Sequence, residues 1–202
     1  MYNLLRTCIV RRRLKFKVAQ RLRKGEKVRV VLGSGGLYET GWIATDIDVL
    51  NVLRLEDWQY FFRPGVVDAL LAEHVWEHLT PEDGLIAARN CYKYLKPGGY
   101  FRIAVPDGFH PSAEYIDCVR PGGIGAGAKD HKILYNFRSL ESIFVHAGFK
   151  IDFLEYFDEK RTFHYKEWAP QNGMIYRSKR FDERNQGGLI NYTSLILDAE
   201  KE

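Results

Sequence analysis

A β-strand that runs into a glycine turn, followed closely by a second strand ending in an acid, leaves few folds open to a chain. Here Val28–Leu32 leads into Gly33-Ser34-Gly35-Gly36, and the next apolar run, Trp42–Ile47, carries Asp46 near its end. Glycine lets backbone approach a ligand closely, because no Cβ intervenes and positive φ costs nothing. An acid at the close of the following strand can accept both hydroxyl hydrogens of a ribose. The pair reads as half of a nucleoside site, with Asp48, two residues on, as the reserve acid. A plain tight turn and a solvated strand-end carboxylate are the alternatives.

The 202 residues, 46% hydrophobic and 28% charged, suit one domain with a sizeable core. No apolar run approaches the roughly 20 residues that span a bilayer. Leu4 and Leu5 are followed by Arg6 and Arg11-Arg12-Arg13, which is not the pattern of a secretion signal. Cys8, Cys91 and Cys118 form no CxxC pair, so a reducing, cytoplasmic setting is expected. The net charge of +4 is unevenly spread: residues 1–29 hold eleven Lys or Arg against Glu26 alone, which leaves the rest net acidic. The expected division is a basic arm over 1–26 and a domain over 27–202. The arm reads as a helix, Leu4–Arg23, packing Leu4, Leu5, Ile9, Leu14, Val18 and Leu22 on the domain, with cations suited to an anionic surface or partner.

Strands are expected at Lys27–Leu32, Trp42–Ile47, Val67–Ala72, Tyr100–Val105, Ile151–Phe157 and Tyr192–Asp198. Further helices are expected at Pro81–Leu95, capped by Thr80, and at Phe137–Ala147, stopped by Gly148. Alternation of strands and helices implies an α/β fold with a parallel sheet and helices on both faces. Ligands then sit at the carboxyl ends of the strands. The nine residues between Gly36 and Asp46 are too few for a helix of any length, so a loop is expected there. Residues 160–188 are polar and irregular and read as an insertion that closes over the substrate.

The order LGSGG, WIATDID, VDALLAEHVWEHL, YLKPGGYFRIAVPDG resembles class I S-adenosylmethionine (SAM)-dependent methyltransferases, closely over residues 27–107 and more loosely over 131–200. The short first crossover resembles a compact subgroup with a loop in place of the first helix. The resemblance implies a Rossmann-like three-layer sandwich, a mostly parallel sheet with a final antiparallel strand, and SAM as cofactor. It implies a grip by Gly33, Ser34, Gly35, Gly36 and Asp46, and a hydrogen bond from the adenine amino group to Asp57, with Glu56 competing and Trp58 over the base. It places Glu73 and His74 against the cofactor, and Glu77 and His78 either ordering the turn or touching substrate. Val31 stands where the family usually has an acid, two residues before the first glycine.

Taken alone, His74-x-x-Glu77-His78 matches an inverted zinc-protease signature. That reading needs a helix and a third ligand downstream; here the motif lies between a buried strand and a proline-started helix, and no metal is expected. Pro106–His110, Asp130–Tyr135 and the insertion should meet at one mouth. There His131 is the first candidate for a general base and His110 the second. The acceptor implied is an oxygen or nitrogen of a small molecule or sugar, with phosphate favoured by Lys160, Arg161, Arg177, Lys179, Arg180 and Arg184. A non-catalytic SAM-binding module acting as a partner subunit is the alternative. Nucleic acid is not expected, because the body is acidic. A nicotinamide enzyme is disfavoured by the missing GxGxxG spacing and its helix.

Overall fold

The structure is a computed structural model that describes residues 2–36 and 39–202, with the side chains of residues 2–5 left aside. In chain order the elements are α1 (Tyr2–Lys24), β1 (Arg29–Leu32), β2 (Ile43–Thr45), α2 (Leu55–Phe61), β3 (Val67–Glu73), α3 (Pro81–Tyr94), β4 (Leu95–Pro106), α4 (Ala113–Val119), α5 (Phe137–His146), β5 (Lys150–Phe157), β6 (Phe163–Tyr165) and β7 (Ser194–Glu200). The strands form one sheet in the order β2-β1-β3-β4-β7-β5-β6. Neighbours from β2 to β4 run parallel. β7 runs antiparallel between β4 and β5, and β6 adds an antiparallel edge to β5. No described helix is long and apolar enough to cross a membrane. The expected strands and helices are present within a few residues of their bounds. α2, α4 and β6 are additional.

Successive residues of the inner strands point to opposite faces, so their continuous apolar runs need cover on both sides. On one face Val30, Leu32, Leu70, Phe101 and Ile103 meet Val18 of α1, Trp58 and Phe61 of α2, Ala88 and Cys91 of α3, and Leu140 and Phe144 of α5. Two of these helices start on side-chain caps. Thr80 accepts from the Asp83 N–H ahead of Pro81, and Asn136 and Ser139 cap each other's backbone at α5.

The opposite face departs from expectation. Val31, Leu71, Ala104 and Ile196 are covered there by Trp42, Trp168 and Ile175, none of them helical. The third layer is thus irregular chain, residues 166–193, rather than helices. Buried polar anchors hold it in place of regular structure. Fully buried Glu155 accepts from Trp168 Nε1 (2.8 Å), the Lys179 N–H (2.8 Å) and Thr193 Oγ1 (2.7 Å). Arg102 makes two bonds to Asp198 (2.8 and 2.7 Å) and donates to the Gly173 carbonyl (2.8 Å).

The β1–β2 crossover carries only turns among its described residues; Leu37 and Tyr38 lie outside them. α1 docks more sparsely than an apolar stripe would. Val18 is buried, but Ile9 and Leu22 are 46% and 40% exposed; the expected packing of Leu4 and Leu5 lies outside the described side chains. Guanidinium groups do the rest: Arg11 donates to the Val49 carbonyl (2.6 Å) and to Asp57 (2.9 Å), and Arg21 to the Lys27 carbonyl (3.0 Å).

Candidate active site

β1 delivers the glycine turn. Gly33, Gly35 and Gly36 all hold positive φ (65°, 56° and 87°), and a Cβ on Gly33 would lie 2.5 Å from Val75 Cγ2. The turn folds back on the tip of β2. Asp46 accepts from Ser34 Oγ and from the Gly35 N–H, both at 2.9 Å, and the Ser34 N–H donates to the Thr45 carbonyl (2.9 Å).

Beyond the turn, at the carboxyl ends of β1 and β3, lies a cavity of about 320 Å³. That is within the roughly 300–1,000 Å³ usual for small-molecule sites. Its wall includes Gly33, Ser34 and Gly35, then Glu73 and His74 where β3 ends, Glu77 and His78 in the 3-10 turn that follows, and His131. Glu39, Met174, Tyr176 and Arg177 also line it, with Val31, Leu71 and Ala126. Glu73 accepts from the backbone N–H groups of Arg177 (2.8 Å) and Tyr176 (3.1 Å), while the Tyr176 hydroxyl donates to Glu39 (2.7 Å). The 166–193 segment is therefore clipped across the cavity. Burial raises the Glu73 carboxyl above its ordinary pKa, and the N–H groups of Arg177 and Tyr176 oppose that shift.

His74 has a positive φ of 57°, which is uncommon for a side-chain-bearing residue and turns the chain sharply off β3. Its Nε2 meets Ser194 Oγ at 2.9 Å, and burial holds the ring neutral, well below its ordinary pKa. Glu77 is fully buried, neither carboxyl oxygen has a hydrogen-bond partner among the described residues, and burial pushes its pKa up to about 8. Backbone bonds bring His131 beside it: the Lys132 N–H donates to the Glu77 carbonyl (2.7 Å). His131 Nδ1 bonds the Val119 carbonyl (2.7 Å), an acceptor only, so Nδ1 donates there, and in the neutral ring Nε2 carries the lone pair. That Nε2 lies 4.0 Å from Glu77 Oε1, and the His131 and His78 rings meet edge to face, with centroids 4.8 Å apart.

Several sequence candidates are placed elsewhere. Asp57 is in α2, off the cavity wall, with its oxygens on Arg11 and the Asn51 N–H. Trp58 is core: it is buried, stacks on Tyr94 at 5.2 Å and donates to the Val52 carbonyl. Glu56 and Asp48 are exposed. His110 is not at the cavity; it stacks on Tyr115 at 3.9 Å, accepts from the Ser112 N–H, and burial lowers its pKa to about 4. Asp46 and Gly36 stand behind Ser34 and Gly35 rather than on the wall itself. Sequence reasoning missed Glu39 and Tyr176, which are 137 positions apart and share no local pattern.

Residues 41–103, from just before β2 to within β4, match a family described as a methyltransferase domain. No curated protein matches the chain. Among solved structures it is similar to a SAM-dependent methyltransferase from Archaeoglobus fulgidus (17% identity, TM-score 0.50, covering 95% of this chain and 94% of that one). It is also similar to a SAM-dependent methyltransferase from Thermotoga maritima described as a possible histamine N-methyltransferase (12% identity, TM-score 0.52, covering 100% and 96%). At such identities the likeness is one of fold. The likeness to these two structures, with the sheet order above, gives the chain the Rossmann-like α/β fold of SAM-dependent methyltransferases, and its residues 41–103 match the methyltransferase-domain family. The described residues of its first crossover hold no helix. The cavity's donor set fits the cofactor of the class. Glu39 and Glu73 suit a molecule bearing a sulfonium and an ammonium, and Arg177 suits its carboxylate.

Proposed function

We propose that the chain transfers a methyl group from SAM to an oxygen or nitrogen of a small-molecule or sugar-type acceptor. One observation carries this reading: a single cavity joins the glycine turn of β1 to the cluster Glu77, His78 and His131. SAM supplies an electrophilic methyl group on a sulfonium sulfur. Gly33–Gly36 give it close backbone approach, and Asp46 turns from the loop to the ribose hydroxyls. Glu73 and His74 hold the amino-acid end. The clip of Tyr176 and Arg177 over Glu73 keeps water from the reacting atoms. Arg177, whose guanidinium lies 3.5 Å from Glu73 Oε1, is the arginine on the described wall and supports an acceptor carrying phosphate or carboxylate; Arg180 and Arg184 are drawn off to Glu167 and Asp182. Glu77, His78 and His131 form the acceptor side and activate the accepting atom. A cytoplasmic setting fits the scattered cysteines.

The test is calorimetric titration with SAM, then a screen of nucleotide sugars, sugar phosphates and hydroxy-aromatic acids with labelled SAM. Asp46→Ala should lose two charge-assisted hydrogen bonds, each worth roughly 1.5–3 kcal/mol, and with them most of the SAM affinity. His131→Ala should lower turnover much more than SAM affinity. Unchanged SAM affinity in Asp46→Ala would sink the assigned grip. Tight SAM binding with no transfer to any acceptor would favour the binding module instead.

A further inference from the structure

We propose that Glu77, His78 and His131 bind a divalent transition-metal ion of the zinc class on the acceptor side of the cavity. One ligating atom from each lies within 4.8 Å of the others. The sequence expectation of no metal rested on the motif's place between a buried strand and a proline-started helix rather than within a helix; the fold nonetheless brings His131 beside Glu77 and His78 as a third candidate ligand. Two features single this cluster out. Among the described residues neither oxygen of the fully buried Glu77 has a hydrogen-bond partner, a costly state for a buried carboxyl group and one that a bound cation would relieve. His74 Nδ1, 3.3 Å away, does not meet hydrogen-bond geometry. The second feature is the fixing of His131. Its Nδ1 on the Val119 carbonyl leaves Nε2 free beside Glu77, the outer-shell arrangement that orients a metal-binding imidazole. The Lys132 N–H on the Glu77 carbonyl holds the two ligand-bearing turns together.

All three residues are on the cavity wall, so a cation there keeps part of its coordination shell open to a ligand. Two imidazoles and a carboxylate with an open position suit zinc and its first-row neighbours rather than magnesium or calcium, which prefer oxygen. The chemistry, though not the binding, rests on the methyl-transfer reading. The cation draws electron density from an acceptor hydroxyl, and the proton leaves to water at the cavity mouth. The oxygen lone pair forms the new C–O bond to the methyl carbon. The C–S bond breaks with its electron pair going to sulfur, and the sulfonium becomes a thioether.

The experiment strips the full chain with chelator, titrates it with Co²⁺ while following the visible ligand-field bands, and then displaces Co²⁺ with Zn²⁺. One equivalent of Co²⁺ should bind. Glu77→Gln, His78→Ala and His131→Ala should each weaken binding by more than the roughly 10–100-fold typical of losing an outer-shell partner. Near-UV circular dichroism checks folding, and half-buried His78 offers the substitution least able to disturb it. A wild-type chain that takes up no Co²⁺, or a folded His78→Ala that binds as tightly as wild type, overturns the site. SAM titration of the stripped protein keeps the two readings apart. SAM binding without metal binding removes the cation alone, and metal binding without SAM binding removes the methyl-transfer reading alone.

Discussion

At Asp57 one carboxylate ties α1 to the β2–α2 connection: Oδ1 holds Arg11 at 2.9 Å, and Oδ2 accepts from the Asn51 N–H at 2.9 Å. Asp57→Asn keeps the shape and removes the charge that Arg11 needs. It should cost about 1–3 kcal/mol in urea unfolding and leave SAM affinity within twofold or so. Unchanged stability with SAM binding lost would return Asp57 to the cofactor. The candidates that line the cavity, such as Ser34, Glu73, His74 and Glu77, sit in contiguous motifs at strand ends, where the fold class alone fixes their position. Asp57 and His110 lie off the cavity wall, held by Arg11 and Tyr115, whose elements dock in a way that leaves no mark in the local sequence.

Among elements, the sequence showed those with a long apolar period or a strong cap. α2 begins at Arg54 without a side-chain cap and runs for seven residues, so packing of Trp58 and Phe61 sustains it rather than propensity. β6 has three residues and no fully buried position. Residues 160–188 read in the sequence as an insertion, but not the 166–193 segment as the second cover of the sheet, because irregular chain has no period to read. Its anchor is testable. Glu155→Ala strands Trp168 Nε1, the Lys179 N–H and Thr193 Oγ1 in a buried site. A loss of at least about 3 kcal/mol is expected, with proteolytic cleavage appearing between 166 and 193 before the sheet unfolds. Equal protease resistance in the variant would show the segment is held by other contacts. α1 calls for a different measurement. Deleting residues 1–22 removes buried Val18 and the Arg11 bonds and should cost about 3–5 kcal/mol, while the truncated chain, where folded, binds SAM as the full chain does. A truncated chain as stable as the full one would make α1 a bystander.

For the molecule as a whole, buried acids shape stability against pH. Asp107 is fully buried, accepts from the Phe109 and Phe157 N–H groups, and is pushed up to about 6, with desolvation outweighing those two bonds. The folded state therefore keeps a proton that the unfolded chain gives up near pH 4. The stabilisation is full below that value and is lost as pH rises through about 6. Against Asp107→Asn, whose side chain does not titrate, wild type should lose about 2–3 kcal/mol of unfolding free energy between pH 4 and pH 7. A constant difference between the two across that range would show that Asp107 ionises alike in both states.

The placement of β7 has a consequence for how the molecule comes together. Within the sheet, Ser194–Glu200 alone joins the parallel strands β2-β1-β3-β4 to the β5–β6 hairpin. Both strands it bridges precede it in the chain, β5 by β6 and the whole of the 166–193 segment. Until β7 inserts, β4 and β5 each present an open row of backbone donors and acceptors to any neighbouring chain. A refolding population is thus most exposed to intermolecular strand pairing during that interval, and aggregation yield should track the time β7 takes to dock rather than the stability finally reached.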